Sequence, residues 1–222
     1  MTADSPDMHA RQPRTIVYID GFNFYYGAVK GTQHKWLDLE ALCRRLLRRD
    51  HIIKIRYFTA RVAAQADDLQ RPARQATYLR ALATLSLVEI HFGHFVTRAV
   101  RLPLATPPAH GRRTVKVLRT EEKGSDVNLA TYLLLDAFKG RCDTAMVISN
   151  DSDLTQAIQG TQTELGVKVG LINPHPRDRR SRKLRELDCL FYRQIPQEAL
   201  AYAQMPEVVH DAKGPIRRPE GW

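Results

Sequence analysis

The stretch that decides the fold is Thr15-Ile-Val-Tyr-Ile-Asp-Gly-Phe-Asn23. Its first five residues are all β-branched or aromatic, which is typical of a buried strand in a parallel sheet. Asp20 ends this strand and Gly21 follows it. Functional side chains of α/β proteins gather at the carboxyl ends of the strands, so Asp20 is the first candidate functional residue.

Strand patterns and helix patterns alternate along the rest of the chain. Strand patterns cover residues 15–19, 52–59, 87–92, 114–118, 144–149 and 167–172, and helical patterns cover residues 36–47, 73–85, 125–137 and 154–165. The third helix is expected to bury Val127, Ala130, Leu134 and Ala137. Residues 93–112 are rich in proline and predict a long loop or a hairpin. This alternation predicts an α/β fold, a single three-layer αβα domain with a central, mostly parallel sheet.

The two ends of the chain have a different composition from the middle. Residues 1–14 are predicted to be a flexible leader and residues 15–195 to form the domain. Residues 196–222 contain Pro206, Pro215 and Pro219, and they are predicted to be a loose C-terminal extension.

Composition excludes several classes of protein. The 222 residues are 43% hydrophobic and 26% charged, as in a soluble globular protein. No stretch approaches the roughly 18 apolar residues of a membrane helix, and the N-terminus lacks the apolar core of a secretory signal. Three widely spaced cysteines favour the cytoplasm. Lysine plus arginine number 34 against 24 acids, and this net charge of +10 suggests a polyanionic partner.

Three more aspartates follow predicted strands or begin predicted helices. Asp126 lies in Glu122-Lys-Gly-Ser-Asp126, and Asp151 and Asp153 lie in Ser149-Asn-Asp-Ser-Asp-Leu154. If strands 15–19 and 144–149 are neighbours, these acids meet Asp20 at one edge of the sheet. Two carboxylates about 5 Å apart repel by roughly 3 kcal/mol at an effective dielectric near 20. A divalent cation would offset this repulsion, and ligands that are all oxygen select Mg²⁺ or Mn²⁺.

A simpler interpretation of the same acids is helix capping. Asp and Ser are common N-cap residues, and Asp126, Asp151 and Asp153 all precede apolar helical runs. Capping explains Asp20 less well, because Gly21 follows it directly. Residue spacing alone leaves the two interpretations open.

The three blocks Tyr18-Ile-Asp-Gly-Phe-Asn23, Glu122-Lys-Gly-Ser-Asp-Val-Asn128 and Ser149-Asn-Asp-Ser-Asp-Leu154 resemble, in this order, the signature blocks of NYN domains, in particular the LabA-like group. NYN domains belong to the PIN-like superfamily of metal-dependent ribonucleases. The resemblance spans about residues 14–195 and implies a PIN-like fold.

The resemblance also implies roles for individual residues. Asp20, Asp126, Asp151 and Asp153 would be the catalytic acids that bind Mg²⁺ or Mn²⁺, with Asn23 and Ser149 supporting them. Many relatives carry another aspartate six residues after the second acid, where this chain has Tyr132. Asp136 lies too far along the helix to replace it, so the number of metal ions stays open.

A basic run follows the last predicted strand. Residues 177–185 contain six basic residues and one acid. A loop of this kind can hold phosphates beside a metal site, or it can be a solvated loop. The candidate contacts to nucleic acid are Arg177, Arg179, Arg180, Arg182 and Lys183. Lys123 is a further candidate, because beside Asp126 it could neutralise a scissile phosphate.

These observations together predict a cytoplasmic ribonuclease that hydrolyses RNA phosphodiester bonds with a water activated by aspartate-bound Mg²⁺ or Mn²⁺. Its expected partner is single-stranded RNA, no membrane is expected, and a homodimer is expected by resemblance to PIN-like proteins. The aromatic residues from Phe22 to Tyr26 could stack on bases or form helix core. Two alternatives stay open: a catalytically weak module that binds RNA or protein, and a metal-dependent enzyme that acts on a small substrate.

Overall fold

The structure is a computed structural model that describes residues 12–222, so most of the expected leader at residues 1–14 lies outside the described residues. Ten strands are present in the described part: β1 (Arg14–Asp20), β2 (His51–Thr59), β3 (Val88–Phe92), β4 (His94–Pro103), β5 (Thr114–Lys123), β6 (Thr144–Ile148), β7 (Lys168–Asn173), β8 (Tyr192–Gln194), β9 (Val208–Asp211) and β10 (Gly214–Arg217). The α-helices there are α1 (Gly21–Phe24), α2 (Leu39–Leu46), α3 (Arg71–Leu82), α4 (Ser125–Phe138), α5 (Thr155–Thr163), α6 (Arg182–Arg185) and α7 (Gln197–Tyr202). None of these helices is long and apolar enough to cross a membrane.

Six strands form one parallel sheet in the order β3-β2-β1-β6-β7-β8. The chain builds outward from β1 through β2 to β3, and it then returns to the other side of β1 with β6. The residues of β1 after Arg14 are all buried, because strands flank it on both edges and helices cover both faces. The predicted central parallel sheet is confirmed.

Helices cover the two faces of this sheet in separate layers. Val17 and Ile19 pack with α2, α3 and α7 on one face. Ile16 and Tyr18, which alternate with them along β1, pack with α4 and α5 on the other face. The predicted three-layer αβα architecture is confirmed.

Helix α4 is rotated differently from the prediction. Leu129, Leu133 and Ala137 are buried, whereas Val127, which was expected on the inner face, is 68% exposed. Apolar residues occur nearly all around this helix, so their spacing alone did not fix its rotation. Asp136 also faces inward and is fully buried.

Asp136 lies in a buried ionic network with Arg56 of β2. The Arg56 Nε atom donates to Asp136 Oδ2 at 2.7 Å, and the Tyr18 hydroxyl donates to the same oxygen at 3.0 Å. Burial opposes ionisation, but hydrogen bonds from Arg56 and Arg141 hold the pKa of Asp136 below its usual range. Tyr132 packs on the same network, with its ring centroid 4.5 Å from the Arg56 guanidinium carbon. Both residues therefore serve the core between α4 and β2.

Strands β4 and β5 form a separate antiparallel ribbon, in which His94 pairs with Lys123 and Pro103 pairs with Thr114. We call residues 94–123 the ribbon. The sequence predicted a loop or hairpin at residues 93–112 and a strand at residues 114–118, so the hairpin is longer than predicted. Its cross-strand hydrogen bonds satisfy backbone groups that no strand of the main sheet could reach.

Residues 196–222 differ from the expected loose extension. Helix α7 packs beside α2, and the β9–β10 hairpin packs on α3, with Ile216 only 2% exposed. Arg80 of α3 holds Asp211 with two hydrogen bonds of 2.7 and 2.5 Å. The prolines and glycines shape turns in a packed segment, so their abundance does not indicate a loose one.

Candidate active site: an acid cleft at the sheet edge

The order of the sheet reverses direction between β1 and β6. In parallel α/β sheets, such a reversal leaves a crevice at the carboxyl ends of the two strands, where ligands bind. Asp20 is the last residue of β1, and Asp151 follows β6 by three residues. Strands β1 and β6 pair directly, with Ile19 opposite Ile148.

Asp20 is held at both carboxylate oxygens. The backbone N–H of Asn23 donates to Oδ1 at 2.9 Å, and the Ser149 hydroxyl donates to Oδ2 at 2.9 Å. The residue as a whole is only 4% exposed. Its orientation is therefore fixed by the first turn of α1 and by the residue that follows β6.

Asn23 and Ser149 also connect the two strand ends. The Asn23 Oδ1 atom accepts the backbone N–H of Asn150 at 3.0 Å. The Ser149 Oγ atom accepts the backbone N–H of Asp151 at 3.0 Å. The two residues expected to support the acids thus link Asp20 to the loop that carries Asp151.

Asp126 is placed by the first turn of α4. Gly124 precedes the helix with a φ of 98°, a left-handed conformation that suits glycine. The Glu122 Oε1 atom accepts the backbone N–H of Ser125 at 3.1 Å, so it caps the helix from the end of β5. Gly93 lies against this corner, and a Cβ atom there would stand 2.6 Å from the Lys123 carbonyl oxygen.

Four carboxylates, Asp20, Glu122, Asp126 and Asp151, line one cavity of about 490 Å³. We call this cavity the acid cleft. Burial, the hydrogen bonds to Asn23 and Ser149 and the nearby Asp126 and Asp151 together set the pKa of Asp20 at about 7. Burial and the charges of Asp151, Glu122 and Asp153 raise the pKa of Asp126 to about 6. The cleft is therefore a place where negative charges repel one another.

Asp153 and Lys123, which the sequence placed beside the metal site, do not line the acid cleft. Asp153 is exposed, and its backbone N–H donates to Asp151 Oδ1 at 2.9 Å, which makes it part of a capped turn. Lys123 is also exposed, and its ammonium pairs with Glu121 at 3.2 Å. Glu122, which the sequence analysis passed over, takes a place in the lining instead. Its sequence signal was its place as the first residue of the block Glu122-Lys-Gly-Ser-Asp-Val-Asn128.

The donors of the acid cleft fit a hard cation in chemistry. They are carboxylate oxygens whose mutual repulsion a cation would relieve. Within residues 12–222, no group of three or more His, Cys, Asp or Glu side chains is arranged to hold a metal ion. Mg²⁺ commonly takes only one or two protein carboxylates and completes its shell with water and substrate phosphate. Binding of that kind needs fewer carboxylates than the four that line the cleft.

The basic run at residues 177–185 lies next to the acid cleft. The side chain of Asn150, which precedes Asp151, donates to the Arg179 carbonyl at 2.8 Å and accepts the Ser181 N–H at 2.7 Å. Arg180 points inward and donates to Gln194 at 3.0 Å. The other candidate contacts, Arg177, Arg179, Arg182 and Lys183, are exposed.

The structure has a second basic surface, which the sequence did not predict. The ribbon carries seven basic and two acidic residues, and Glu122 at its base lines the acid cleft. Arg98 lies directly opposite Arg119, and Arg101 lies directly opposite Lys116. Like charges in direct cross-strand pairs destabilise a ribbon, and both of these pairs are exposed. Sequence spacing could not reveal this arrangement, because the register of the hairpin was unknown.

A parallel αβα sheet with acids gathered where the strand order reverses is the architecture of a PIN-like domain. Residues 14–188 match the family model described as the NYN domain. The chain belongs to the NYN domain family. Membership of its LabA-like group stays a prediction.

Known proteins that are similar to this chain include the following two. One is named 6-hydroxy-3-succinoylpyridine 3-monooxygenase HspA, from Pseudomonas putida, and is 30% identical over 236 residues, which cover 94% of this chain and 75% of that protein. The other is a solved structure of a protein of unknown function from Vibrio parahaemolyticus, with a TM-score of 0.55 and 12% identity, which covers 85% of this chain and 96% of that one. The second likeness shows a shared fold alone.

Proposed function

We propose that this protein is a metal-dependent ribonuclease that hydrolyses RNA phosphodiester bonds in the acid cleft. The observation that carries this proposal is the convergence of Asp20, Asp126 and Asp151 on one cavity of an NYN domain. An acidic site between basic surfaces suits a polyanion whose backbone is cut at one phosphate.

Each residue of the cleft has a role in this proposal. Asp20, Asp126 and Asp151 would hold Mg²⁺ or Mn²⁺. Ser149 and Asn23 keep the Asp20 carboxylate in a fixed orientation through their 2.9 Å hydrogen bonds. A bound ion would supply positive charge at the scissile phosphate and lower the pKa of a water molecule.

The surroundings of the cleft support the binding of RNA. The exposed residues Arg177, Arg179, Arg182 and Lys183 stand on one side of it, beyond Asn150. The base of the ribbon lies on another side of the cleft, where Glu122 is part of the lining. Basic side chains hold phosphates without reading the sequence of bases, so the proposal sets the chemical class of the substrate and not its sequence.

The test uses end-labelled single-stranded RNA with Mn²⁺ or Mg²⁺, run beside EDTA. We expect cleavage that disappears in EDTA and in an Asp151→Asn variant. The matched control is Glu164→Gln, because Glu164 is exposed and lies outside the acid cleft, the ribbon and the basic run. This control should cleave like the unaltered protein.

Three results would go against the proposal. Cleavage that survives EDTA or the Asp151→Asn change would point to a contaminating nuclease. RNA that binds but stays intact at high protein concentration would favour a catalytically weak binding module. Absence of both binding and cleavage would favour an enzyme with a small substrate.

A small-substrate enzyme is the second candidate, and one comparison favours it. The relative from Pseudomonas putida is named as a monooxygenase of 6-hydroxy-3-succinoylpyridine, and its similarity covers 94% of this chain. Its named substrate is a hydroxylated pyridine ring with an acidic side chain. The direct test is to supply that compound with dioxygen and a nicotinamide reductant and to follow oxygen consumption. Turnover without RNA cleavage would replace the first proposal with the second.

A further inference from the structure

A second cavity adjoins the acid cleft and has a different lining. It has a volume of about 490 Å³, and we call it the aromatic pocket. Its aromatic lining includes Phe22, Tyr25, Tyr26, Tyr57, Tyr78 and Trp222. Phe22, Tyr26 and Arg71 line both cavities, so a bound molecule could extend from one into the other.

An unusual helical turn shapes this pocket. Helix α1 continues directly into a π-helical turn over Tyr25–Val29, which is closed by a 2.7 Å hydrogen bond from the Lys30 N–H to the Tyr25 carbonyl. Single π-turns are rare and occur often at functional sites, because the extra residue changes the direction of the side chains. Here Tyr25 and Tyr26 both line the pocket, and their rings meet edge to face at 5.3 Å.

The aromatic rings present surface that a ligand could cover. Tyr26 lines both cavities and is 48% exposed, with the Lys30 ammonium 4.9 Å from its ring centroid and the remaining ring surface open. Trp222 packs edge to face on Tyr78 with the ring centroids 5.6 Å apart. Ring faces of this kind bind another planar ring by stacking, which tolerates different ring types.

One cation stands where the two cavities meet. Arg71 donates to the Tyr26 hydroxyl oxygen at 3.2 Å, and no carboxylate forms a salt bridge with it among residues 12–222. Arg74, by contrast, is neutralised by a short ion pair with Asp68. Arginine matches the planar geometry of carboxylate and phosphate groups. Arg71 is therefore placed to hold an anionic group while the ring lies against Tyr26.

We propose that the aromatic pocket binds a planar aromatic ring that carries an anionic group, with the ring on Tyr26 and the anion on Arg71. The cavity volume lies within the range of about 300–1,000 Å³ that is usual for small-ligand sites. Two kinds of molecule share this chemistry, a nucleotide and a carboxylated hydroxypyridine. The inference identifies the part of the substrate that lies next to the reacting bond. Its importance for catalysis rests on the proposed function, whereas the binding itself does not.

The test measures binding to the full chain by isothermal titration calorimetry in EDTA. The probes are uridine 5′-monophosphate and 6-hydroxynicotinate, each with a ring and an anion. Ribose 5-phosphate lacks the aromatic ring, and uridine lacks the anion. We expect at least one of the first two to bind about tenfold more tightly than either incomplete compound, as the usual strength of stacking and of charged hydrogen bonds implies.

Variants locate the site. Tyr26→Ala and Arg71→Gln should each weaken binding about tenfold, by loss of a stacking surface or of a charged hydrogen bond. Tyr26→Phe should retain most of the affinity, because the ring stays. The matched controls are Tyr202→Ala and Arg44→Gln, since both residues are exposed and neither lines the two cavities.

The outcomes separate this inference from the proposed function. Preference for the nucleotide identifies a base-binding site, and preference for 6-hydroxynicotinate identifies a site for a small carboxylated ring; either supports the inference. Equal binding of ribose 5-phosphate, or equal losses in the control variants, would overturn it. EDTA makes the titration independent of cleavage, so RNA cleavage without ring binding would leave the first proposal intact.

Discussion

Asp20 combines deep burial with negative neighbours, and this combination makes ionisation unfavourable. Burial acts first in raising its pKa to about 7, and Asp126 and Asp151 add to the effect. An unfolded chain would give this carboxyl its usual value of 3.8. The folded protein therefore holds the Asp20 proton more tightly than the unfolded chain does.

We expect an Asp20→Asn variant to be more stable than the unaltered protein in alkaline solution and equally stable near pH 4. Because the folded pKa is the higher one, stability is fully present below the unfolded value and is lost as pH rises through about 7. The difference in unfolding free energy should grow to at most about 4 kcal/mol at pH 8. Urea denaturation in EDTA between pH 4 and 8 measures it.

Asp178→Asn is the matched control for this experiment, because Asp178 is exposed. Its stability should follow that of the unaltered protein at every pH. A gap for Asp20→Asn that stayed constant with pH would contradict the expectation, since a constant gap would reflect packing and not a proton.

The sequence was enough to place Asp20 at a strand end. A strand end is a local feature, and the pattern from Thr15 to Ile19 already indicates where this strand stops. The sequence could not place Glu122 or exclude Asp153 from the acid cleft. Those outcomes depend on the turn at Gly124 and on the capped turn after Asp151, where one or two backbone angles redirect a side chain. The inward position of Asp136 on α4 goes with its bond to Arg56, which joins residues 80 positions apart.

At the scale of elements, the ribbon pairs like charges directly across its two strands. Arg101 and Lys116 lie directly opposite each other, and both are exposed. A two-stranded ribbon is marginally stable by itself, so this repulsion acts on an element with little reserve. At its base Phe95 packs on Phe22 with the ring centroids 5.7 Å apart, which ties the ribbon to α1.

We expect a Lys116→Glu variant to stabilise the ribbon while weakening RNA binding. The new opposite charge beside Arg101 should contribute about 0.2–1 kcal/mol, which slower hydrogen exchange of the ribbon amides would show. Fluorescence anisotropy with labelled single-stranded RNA should give a lower affinity and a dependence on salt reduced by about one ion.

Lys139→Glu changes the net charge equally, and Lys139 is exposed at the far end of α4. Equal loss of RNA affinity in this control would mean that only the overall charge matters. That result would remove the ribbon from the RNA-binding surface.

The sequence indicated a hairpin near residues 93–112 but not a ribbon of this length. Both of its faces are largely exposed, so the strands lack the buried alternation that marks a strand in the main sheet. The sequence did not predict the short helix α7 or the β9–β10 hairpin, for a related reason. Each of these elements has at most six residues, which is too short to show a periodic pattern, and the core that covers them comes from distant parts of the chain.

At the scale of the whole molecule, the last segment completes the core. The Trp36 indole N–H donates to the Pro206 carbonyl at 2.8 Å, and the Asp38 N–H donates to the Ala203 carbonyl at 2.9 Å. Ile216 is buried in the same cluster as residues of α2 and α3.

The cytoplasmic location and the homodimer named in the sequence analysis are untested and stay predictions.

We expect an Ile216→Ala variant to lose about 3 kcal/mol of unfolding free energy, because a buried aliphatic side chain is replaced by a cavity. Urea denaturation measures the loss. Leu118→Ala removes a side chain that is 78% exposed, and it should change stability by less than about 0.5 kcal/mol. Similar small losses in both variants would mean that residues 208–217 are dispensable for the core.

The packing of the last segment on α2 has a consequence for synthesis on the ribosome. The hydrogen bond from Trp36 to Pro206 joins residues 170 positions apart, and the hydrogen bond from Ser149 to Asp20 joins residues 129 positions apart. At about 5–20 residues per second, roughly 10–30 s pass between the emergence of Trp36 and that of Pro206. Until residues 144–148 emerge, β1 lacks its neighbour β6, and until residues 199–216 emerge, the face of the sheet that carries Val17 lacks part of its apolar cover. The nascent chain therefore exposes apolar surface of the kind that makes folding intermediates prone to aggregation.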